Sequence, residues 1–137
     1  MSSHKGGFFL RISSNFDDFK KFRAALARID KNKVHSALHS ALNSTAIQLI
    51  PIIKSFTPVK TGLLQSSWNF EILHGLSGAT LVIYNKIFYS LFVEFGHFSR
   101  SGRWVRGFFM LTKGVQNAEA ILKKELKREI GEIIKNN

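Results

Sequence analysis

A long stripe of apolar and small residues in the first half of the chain constrains the fold more than any other feature of the sequence. Between Lys33 and Phe56 these residues recur every three or four positions: Val34, Leu38, Ala41, Leu42, Thr45, Leu49, Ile52, Ile53 and Phe56. This is the period of one face of an α-helix, so we predict a long helix over residues 33–56. Pro51 lacks a backbone donor, but the stripe resumes beyond it. We therefore expect a kink at Pro51 rather than the end of the helix.

A turn and two strands are predicted to follow the long helix. Residues 57–62 contain Pro58 and Gly62, which are typical of a turn. Apolar runs at residues 64–73 and 79–84 then flank a glycine-containing segment, residues 74–78. This pattern predicts a β-hairpin. The second run is rich in β-branched residues and suits a sheet that is covered on one or both faces.

Local patterns define the remaining elements. Residues 16–29 predict a short first helix, with Asn15 as its cap and two aspartates in its first turn. Residues 87–95 are ambiguous between a short helix and a strand, and residues 97–107 have no consistent period and predict a loop. The helical period returns at Phe108 and continues to the end of the chain.

These elements predict one α+β domain over residues 1–137. Its architecture is a long kinked helix and a C-terminal helix packed on a small antiparallel sheet. Residues 1–14 are expected to be flexible. The chain has no cysteine, which excludes disulfides, thiolate metal sites and a cysteine nucleophile. It has neither a signal-peptide pattern nor an apolar run of about 18 residues, so we expect a soluble protein made without export and without a membrane partner.

The net charge of +11 is distributed unevenly. No acidic residue falls between Lys31 and Phe70, and only Glu94 falls between Ile72 and Ala118. Basic residues continue through both gaps: Lys33, Lys54, Lys60, Lys86, Arg100, Arg103, Arg106 and Lys113. Uncompensated positive charge favours an acidic partner, either nucleic acid or an acidic protein surface. The alternative is a basic protein with no charged ligand.

Two residue pairs have spacings that reactive sites use. His35 and His39 are one helical turn apart and could share a metal ion. Two neutral ligands without a nearby acid make a poor site, however, so a polar stripe is the preferred interpretation. Glu94 and His97 could act in general acid–base chemistry. A structural Glu94 paired with an arginine is preferred, because a buried carboxylate needs a partner. The sequence predicts no catalytic residue, cofactor or metal.

The segment 97–107 combines three arginines with Phe98 and Trp104. Guanidinium groups and aromatic rings serve nucleic-acid contacts, and the same mixture occurs in protein–protein hot spots. A tryptophan is costly to leave exposed, which favours some partner over a merely solvated loop. The composition does not separate nucleic acid from protein.

Three motifs occur in order within residues 33–122. The first is Thr57-Pro58-Val59-Lys60-Thr61-Gly62-Leu63-Leu64 with Ser67-Trp68 after it, the second runs from Tyr89 through Val93-Glu94-Phe95-Gly96-His97, and the third runs from Trp104 through Gly107 to Phe109-Met110-Leu111. Together they resemble the tailed-bacteriophage family of minor tail, tail-completion and head–tail neck proteins. Lys60 departs from the aspartate that many members carry, and Ser90 from the common alanine.

The resemblance implies a structural virion protein, not an enzyme, that is assembled in the host cytoplasm and completes the tail or joins it to the head. It implies a homo-oligomeric ring, by analogy a hexamer, that contacts other tail or neck proteins and can contact packaged DNA. The motif residues expected to be structural are Thr57, Pro58, Thr61, Gly62, Trp68, Tyr89, Gly96 and Gly107. The candidates for an interface or a DNA channel are Glu94, His97, Phe98, Arg100, Arg103, Trp104 and Arg106.

Two alternatives to the virion role stay open. A basic nucleic-acid-binding protein of another kind would account for the net charge of +11. A small basic nuclease or toxin would depend on Glu94, His97 and the arginines.

Overall fold

The computed structural model describes residues 8–13, 30–76 and 78–135, the first of these segments by its backbone alone. The strands are β1 (Phe8–Ser13), β2 (Trp68–His74), β3 (Ala79–Asn85), β4 (Gly96–Phe98) and β5 (Trp104–Arg106). The helices are α1 (Lys31–Ser55), α2 (Leu63–Ser66), α3 (Ser90–Phe95), α4 (Met110–Gly114) and α5 (Ala118–Lys135). The helix predicted over residues 16–29 lies outside the described residues, as do residues 1–7 and 14. The predicted α+β class is confirmed.

The long helix α1 forms where the apolar stripe predicted it. The Asp30 carboxylate caps its first turn by accepting a hydrogen bond from the backbone N–H of Asn32, at 3.0 Å. The helix continues through Pro51, which removes only one donor near the C-terminal end. It ends where the backbone N–H of Phe56 bonds to the Ile53 carbonyl, at 3.1 Å. Its buried face consists of Ala37, Ala41, Leu42, Thr45, Ala46, Leu49 and Ile53.

The main sheet has three antiparallel strands in the order β1-β3-β2. The central strand β3 is buried along most of its length, as its β-branched sequence predicts. The edge strand β1 was not predicted, and its register pairs Phe8 with Asn85 and Ser13 with Thr80. Because this pairing joins segments about 70 residues apart, local sequence patterns give little sign of it.

The strand predicted over residues 64–73 is wrong in its first part. Leu63–Ser66 form the single-turn helix α2, and the strand begins at Trp68. Gly62 adopts a positive φ of 82°, and its carbonyl accepts the backbone N–H of Ser66 at 2.9 Å. The hydroxyl of Ser67 then donates to the Leu63 carbonyl at 2.6 Å, which satisfies a group that a strand would offer to a neighbour.

For residues 87 to 135 the structure resolves one ambiguous prediction and corrects two others. The ambiguous segment 87–95 contains the helix α3. The predicted loop 97–107 is instead a second, two-stranded sheet formed by β4 and β5. The last helix does not run unbroken from Phe108, because a turn at residues 115–117 separates α4 from α5.

The hydrophobic core lies on both sides of α1. The helix packs against β2 and β3 on one side and along α5 on another. Leu42, Leu49, Leu81 and Leu122 are fully buried, and each contributes about 1.5–3 kcal/mol by leaving water. Among the described residues, no helix is long and apolar enough to cross a membrane.

Candidate interaction surface

The segment that combines arginines with aromatics is an ordered β-hairpin. Gly96 pairs with Arg106, His97 with Val105 and Phe98 with Trp104. The connecting loop is closed by a hydrogen bond from the Ser99 backbone N–H to the Arg103 carbonyl, at 2.7 Å. Gly102 provides the positive φ of 82° that this tight loop requires. The hairpin therefore holds its exposed side chains in defined positions.

Two aromatic rings lie together on one face of the hairpin. Because directly paired residues in antiparallel strands share a face, Phe98, Trp104 and Arg106 lie on the same side. The rings of Phe98 and Trp104 meet edge to face with centroids 5.0 Å apart. They remain 71% and 57% exposed, respectively. We call Phe98, Arg100, Arg103, Trp104 and Arg106 the hairpin surface.

Two glycines allow close packing around the hairpin: Gly96 lies against the facing strand β5, and Gly107 lies against the end of α3. A Cβ atom added to Gly96 would lie 2.5 Å from the Val105 carbonyl oxygen and 2.8 Å from the Trp104 indole. One added to Gly107 would overlap the backbone of Glu94 and lie 2.7 Å from the Gly96 nitrogen. No side chain fits at either position, so both motif glycines are explained by close packing.

The buried Glu94 side chain fixes the start of α4. Its carboxylate accepts hydrogen bonds from the backbone N–H groups of Leu111 and Thr112, at 2.8 and 3.1 Å, and from the Thr112 hydroxyl, at 2.7 Å. The backbone of the same segment is tied to α3 by bonds from the Phe108 N–H to the Val93 carbonyl, at 2.8 Å, and from the Phe109 N–H to the Glu94 carbonyl, at 3.0 Å. Glu94 thus holds the start of α4 against α3, and these are the two helices that precede and follow the hairpin.

This burial corrects the sequence prediction for Glu94. The sequence predicts Glu94 as a candidate for an interface or a channel, but its side chain is fully buried in the chain and does not reach a surface. The expected arginine partner is also wrong, because backbone amides and Thr112 satisfy the carboxylate. Glu94 is a structural residue, and no local pattern indicates its partners, which lie 17 and 18 positions away.

His97 is only half-buried and lies on the other face of β4 from Phe98. Its ring packs against Phe92 with centroids 6.0 Å apart. Its Nδ1 atom is buried and has no hydrogen-bond partner among the described residues. In the described part of the chain no hydrogen bond joins His97 to Glu94, so the sequence-based acid–base pair is not assembled.

Every exposed charge in the chain segment from Lys86 to Lys113, which includes the hairpin surface, is positive. Arg100, Arg103 and Arg106 are exposed, as are Lys86 and Lys113 at the two ends of this segment. Glu94 is the single acid between Ile72 and Ala118, and it is buried and hydrogen-bonded. The stretch from Lys86 to Lys113 therefore presents no accessible negative charge of its own, which favours an acidic partner.

Exposed apolar side chains accumulate in the same stretch. Eight of the fifteen exposed large apolar side chains in the described part of the chain fall within residues 88–108. They are Phe88, Leu91, Phe92, Phe95, Phe98, Trp104, Val105 and Phe108. Exposed apolar side chains that cluster are typical of interaction sites, so their concentration here favours a partner for this segment.

The first motif forms a buried junction between α1 and β2. The Thr57 hydroxyl donates to the Ile53 carbonyl at 2.8 Å and accepts the Trp68 indole N–H at 2.9 Å. Gly62 has the positive φ that starts α2, and the Thr61 hydroxyl accepts the Leu63 N–H at 3.3 Å. Pro58 is half-buried in the turn. These contacts join the end of α1 to the start of β2.

The second motif begins at the start of α3. Tyr89 immediately precedes this helix, is partly buried against the core, and meets Phe88 edge to face with ring centroids 5.2 Å apart. The structural role expected of Tyr89 is therefore packing.

Two polar residues outside the predicted set also shape this region. Asn85 is fully buried, donating from its amide to the Leu64 carbonyl at 2.9 Å and accepting the Ile87 N–H at 3.0 Å. His74, at the end of β2, lies against His35 and His39 of α1. The position of Asn85 at the end of an apolar run is a sequence signal for a structural role. The contacts of His74 become visible only in the tertiary fold.

Comparison with protein-family models, with curated proteins and with solved structures finds no match for this chain. The resemblance to the phage tail-completion family therefore rests on its motif residues.

Proposed function

We propose that this chain is a non-enzymatic virion protein of a tailed bacteriophage, which acts in tail completion or head–tail joining as a subunit of an oligomeric ring. The observation that carries the proposal is the hairpin surface with its apolar surroundings. Aromatic side chains and arginines dominate the energetics of protein interfaces, and here a clamped hairpin presents both. Its partners would be further copies of the chain and other tail or neck proteins.

The charge of the hairpin surface favours a ring over a symmetric dimer. Two copies meeting through this same surface would bring Arg100, Arg103 and Arg106 of each close to those of the other, and like charges across an interface are costly. A heterologous contact, in which this surface meets a different face of the next copy, avoids that repulsion. Heterologous contacts generate rings when the rotation closes.

The roles of the motif residues also support a structural function. Thr57 and Trp68 join α1 to β2, and Gly96 lets the two hairpin strands pack closely. Gly107 packs against the end of α3, and Glu94 joins α3 to α4. All five residues make contacts within the chain that determine its conformation. The nuclease or toxin alternative requires Glu94 as its acidic residue. The Glu94 carboxylate is instead buried and accepts three hydrogen bonds, which argues against that alternative.

The function is tested by removing the charge of the hairpin surface in a phage complementation assay. Substituting Arg100, Arg103 and Arg106 by Ala should leave the fold intact and give unjoined heads and tails in electron micrographs. The control substitutes Lys124, Lys127 and Lys135, which are exposed on α5. Both triple variants lower the net charge from +11 by three, to +8. Normal infectivity of the arginine variant would contradict the proposal.

A second candidate is a nucleic-acid-binding protein, favoured by the unopposed positive charge of residues 86–113. It predicts an affinity for duplex DNA that falls steeply with salt, because bound phosphates release their counterions. In a binding titration the arginine variant should then lose affinity and show a shallower salt dependence than the lysine variant. Equal losses in the two variants would indicate attraction by net charge alone.

A further inference from the structure

Three histidines from two elements meet beside the main sheet. His35 and His39 lie one turn apart near the start of α1, and His74 is the last residue of β2. The His39 Nδ1 and His74 Nε2 atoms are 2.9 Å apart, and these two rings stack with centroids 5.1 Å apart. The His35 ring lies 5.6 Å from the His74 ring.

The packing of α1 on β2 explains why these side chains meet. His35 and His39 extend the stripe that continues as Leu42, Ala46 and Leu49 in the core. On β2, His74 shares a face with Phe70 and Ile72, which pack against the same core. α1 and β2 thus remain in contact beyond their last apolar residues, and the side chains at the following positions are the three histidines. All three histidines are exposed.

We propose that His35, His39 and His74 bind one divalent transition-metal ion of the Zn²⁺ class, with water completing its coordination. Imidazole nitrogen is a preferred ligand for Zn²⁺, Ni²⁺ and Cu²⁺. Three protein ligands plus a water form a common zinc arrangement. Because α1 contains no acidic residue, the cluster lacks the carboxylates that Ca²⁺ and Mg²⁺ require.

Binding requires the three imidazole rings to reorient. Among the described side chains no three already converge on one metal position, and His39 instead contacts His74 directly. Zn–N distances of about 2.0–2.1 Å place two tetrahedral ligand nitrogens roughly 3.3 Å apart. The His39 and His74 nitrogens therefore need to separate by a few tenths of an ångström from 2.9 Å. The His35 ring must rotate towards them, which its exposure allows.

Binding would cross-link the first turns of α1 to the end of β2. Because the ion binds the folded chain through residues about 35 positions apart, it should stabilise the folded state and raise Tm. This inference does not depend on the proposed phage function, since the histidines belong neither to the hairpin surface nor to the three motifs.

Calorimetric titration of the full chain with Zn²⁺ tests the site. We expect one ion per chain, and binding at least about tenfold weaker after each of His35→Ala, His39→Ala and His74→Ala. His97→Ala, which removes a histidine that packs on Phe92 instead, should leave the affinity unchanged, and Mg²⁺ should not bind. Circular dichroism checks that each variant is folded. Spectra of ¹⁵N-labelled imidazoles should show Zn²⁺-dependent shifts at the three residues and not at His97.

Three outcomes would overturn the inference. Absence of Zn²⁺ binding to the wild-type chain in the titration would leave the His39–His74 contact as an ordinary hydrogen bond. His74→Ala that binds Zn²⁺ as tightly as the wild type would restrict the ion to the helix pair or another site. His35→Ala with undiminished affinity would exclude the three-ligand arrangement.

Discussion

At the scale of single residues, Glu94 shows how a buried charge can define a local structure. Its carboxylate accepts three hydrogen bonds at the start of α4, two of them from backbone amides. Glu94→Gln keeps the shape of the side chain but turns an NH₂ group towards these donors. We expect the free energy of unfolding to fall by about 1–3 kcal/mol, measured by urea denaturation.

The control for this substitution is Glu119→Gln on α5. Glu119 is exposed and faces Lys123 at 3.4 Å, so its substitution should change stability by less than about 0.5 kcal/mol. If both variants were equally stable, the hydrogen bonds of Glu94 would not hold the hairpin and α4 together.

Glu125 gives the fold a predictable acid sensitivity. Hydrogen bonds from the Arg128 guanidinium and then from the Gln48 amide hold the pKa of Glu125 below its ordinary value of about 4.5. A carboxyl with a lowered folded pKa adds stability above its unfolded pKa, and this contribution disappears as the pH falls through the folded pKa. Below about pH 4.5 the wild type should therefore lose Tm faster than Glu125→Gln. Parallel Tm curves for the two proteins would contradict this.

At the scale of elements, two glycines in helices predict opposite effects of the same substitution. A Cβ on Gly114 of α4 would overlap the Ile53 side chain and lie 2.9 Å from its Cα atom, so Gly114→Ala should destabilise by about 1–3 kcal/mol. Gly131 of α5 has no atom within 4 Å of the added Cβ, so Gly131→Ala should stabilise by about 0.5–1 kcal/mol. Urea denaturation measures both, and a Gly114→Ala variant at least as stable as the wild type would contradict the packing of α4 on α1.

Elements with a strong internal period were predictable from the sequence, and elements made by distant contacts were not. The stripe of α1 and the β-branched run of β3 predicted both, because each buries one continuous face. The three-residue strands β4 and β5 have no measurable period. They depend on Gly96 packing against β5 and on Gly107 packing against the end of α3. Likewise β1 forms by pairing with a strand far along the chain.

At the scale of the whole molecule, the sequence identified the composition of the candidate surface but not its construction. The arginines, Phe98 and Trp104 are exposed, as an interaction surface requires. Glu94 was expected among them because an acid next to aromatics and arginines gives no indication of burial. His74 was missed because the contact with His35 and His39 exists only after β2 packs on α1.

The mass of the chain in solution tests the ring most directly. Light scattering over a range of concentrations should give species that are multiples of the 15.5 kDa chain, and negative-stain images of them should show closed rings. The double variant Phe98→Ser with Trp104→Ser should be folded but monomeric. Leu76→Ser, which replaces a fully exposed leucine elsewhere, should assemble like the wild type. A wild-type chain that stays monomeric at every concentration, or assembly that persists in the double variant, would contradict a ring built through the hairpin surface.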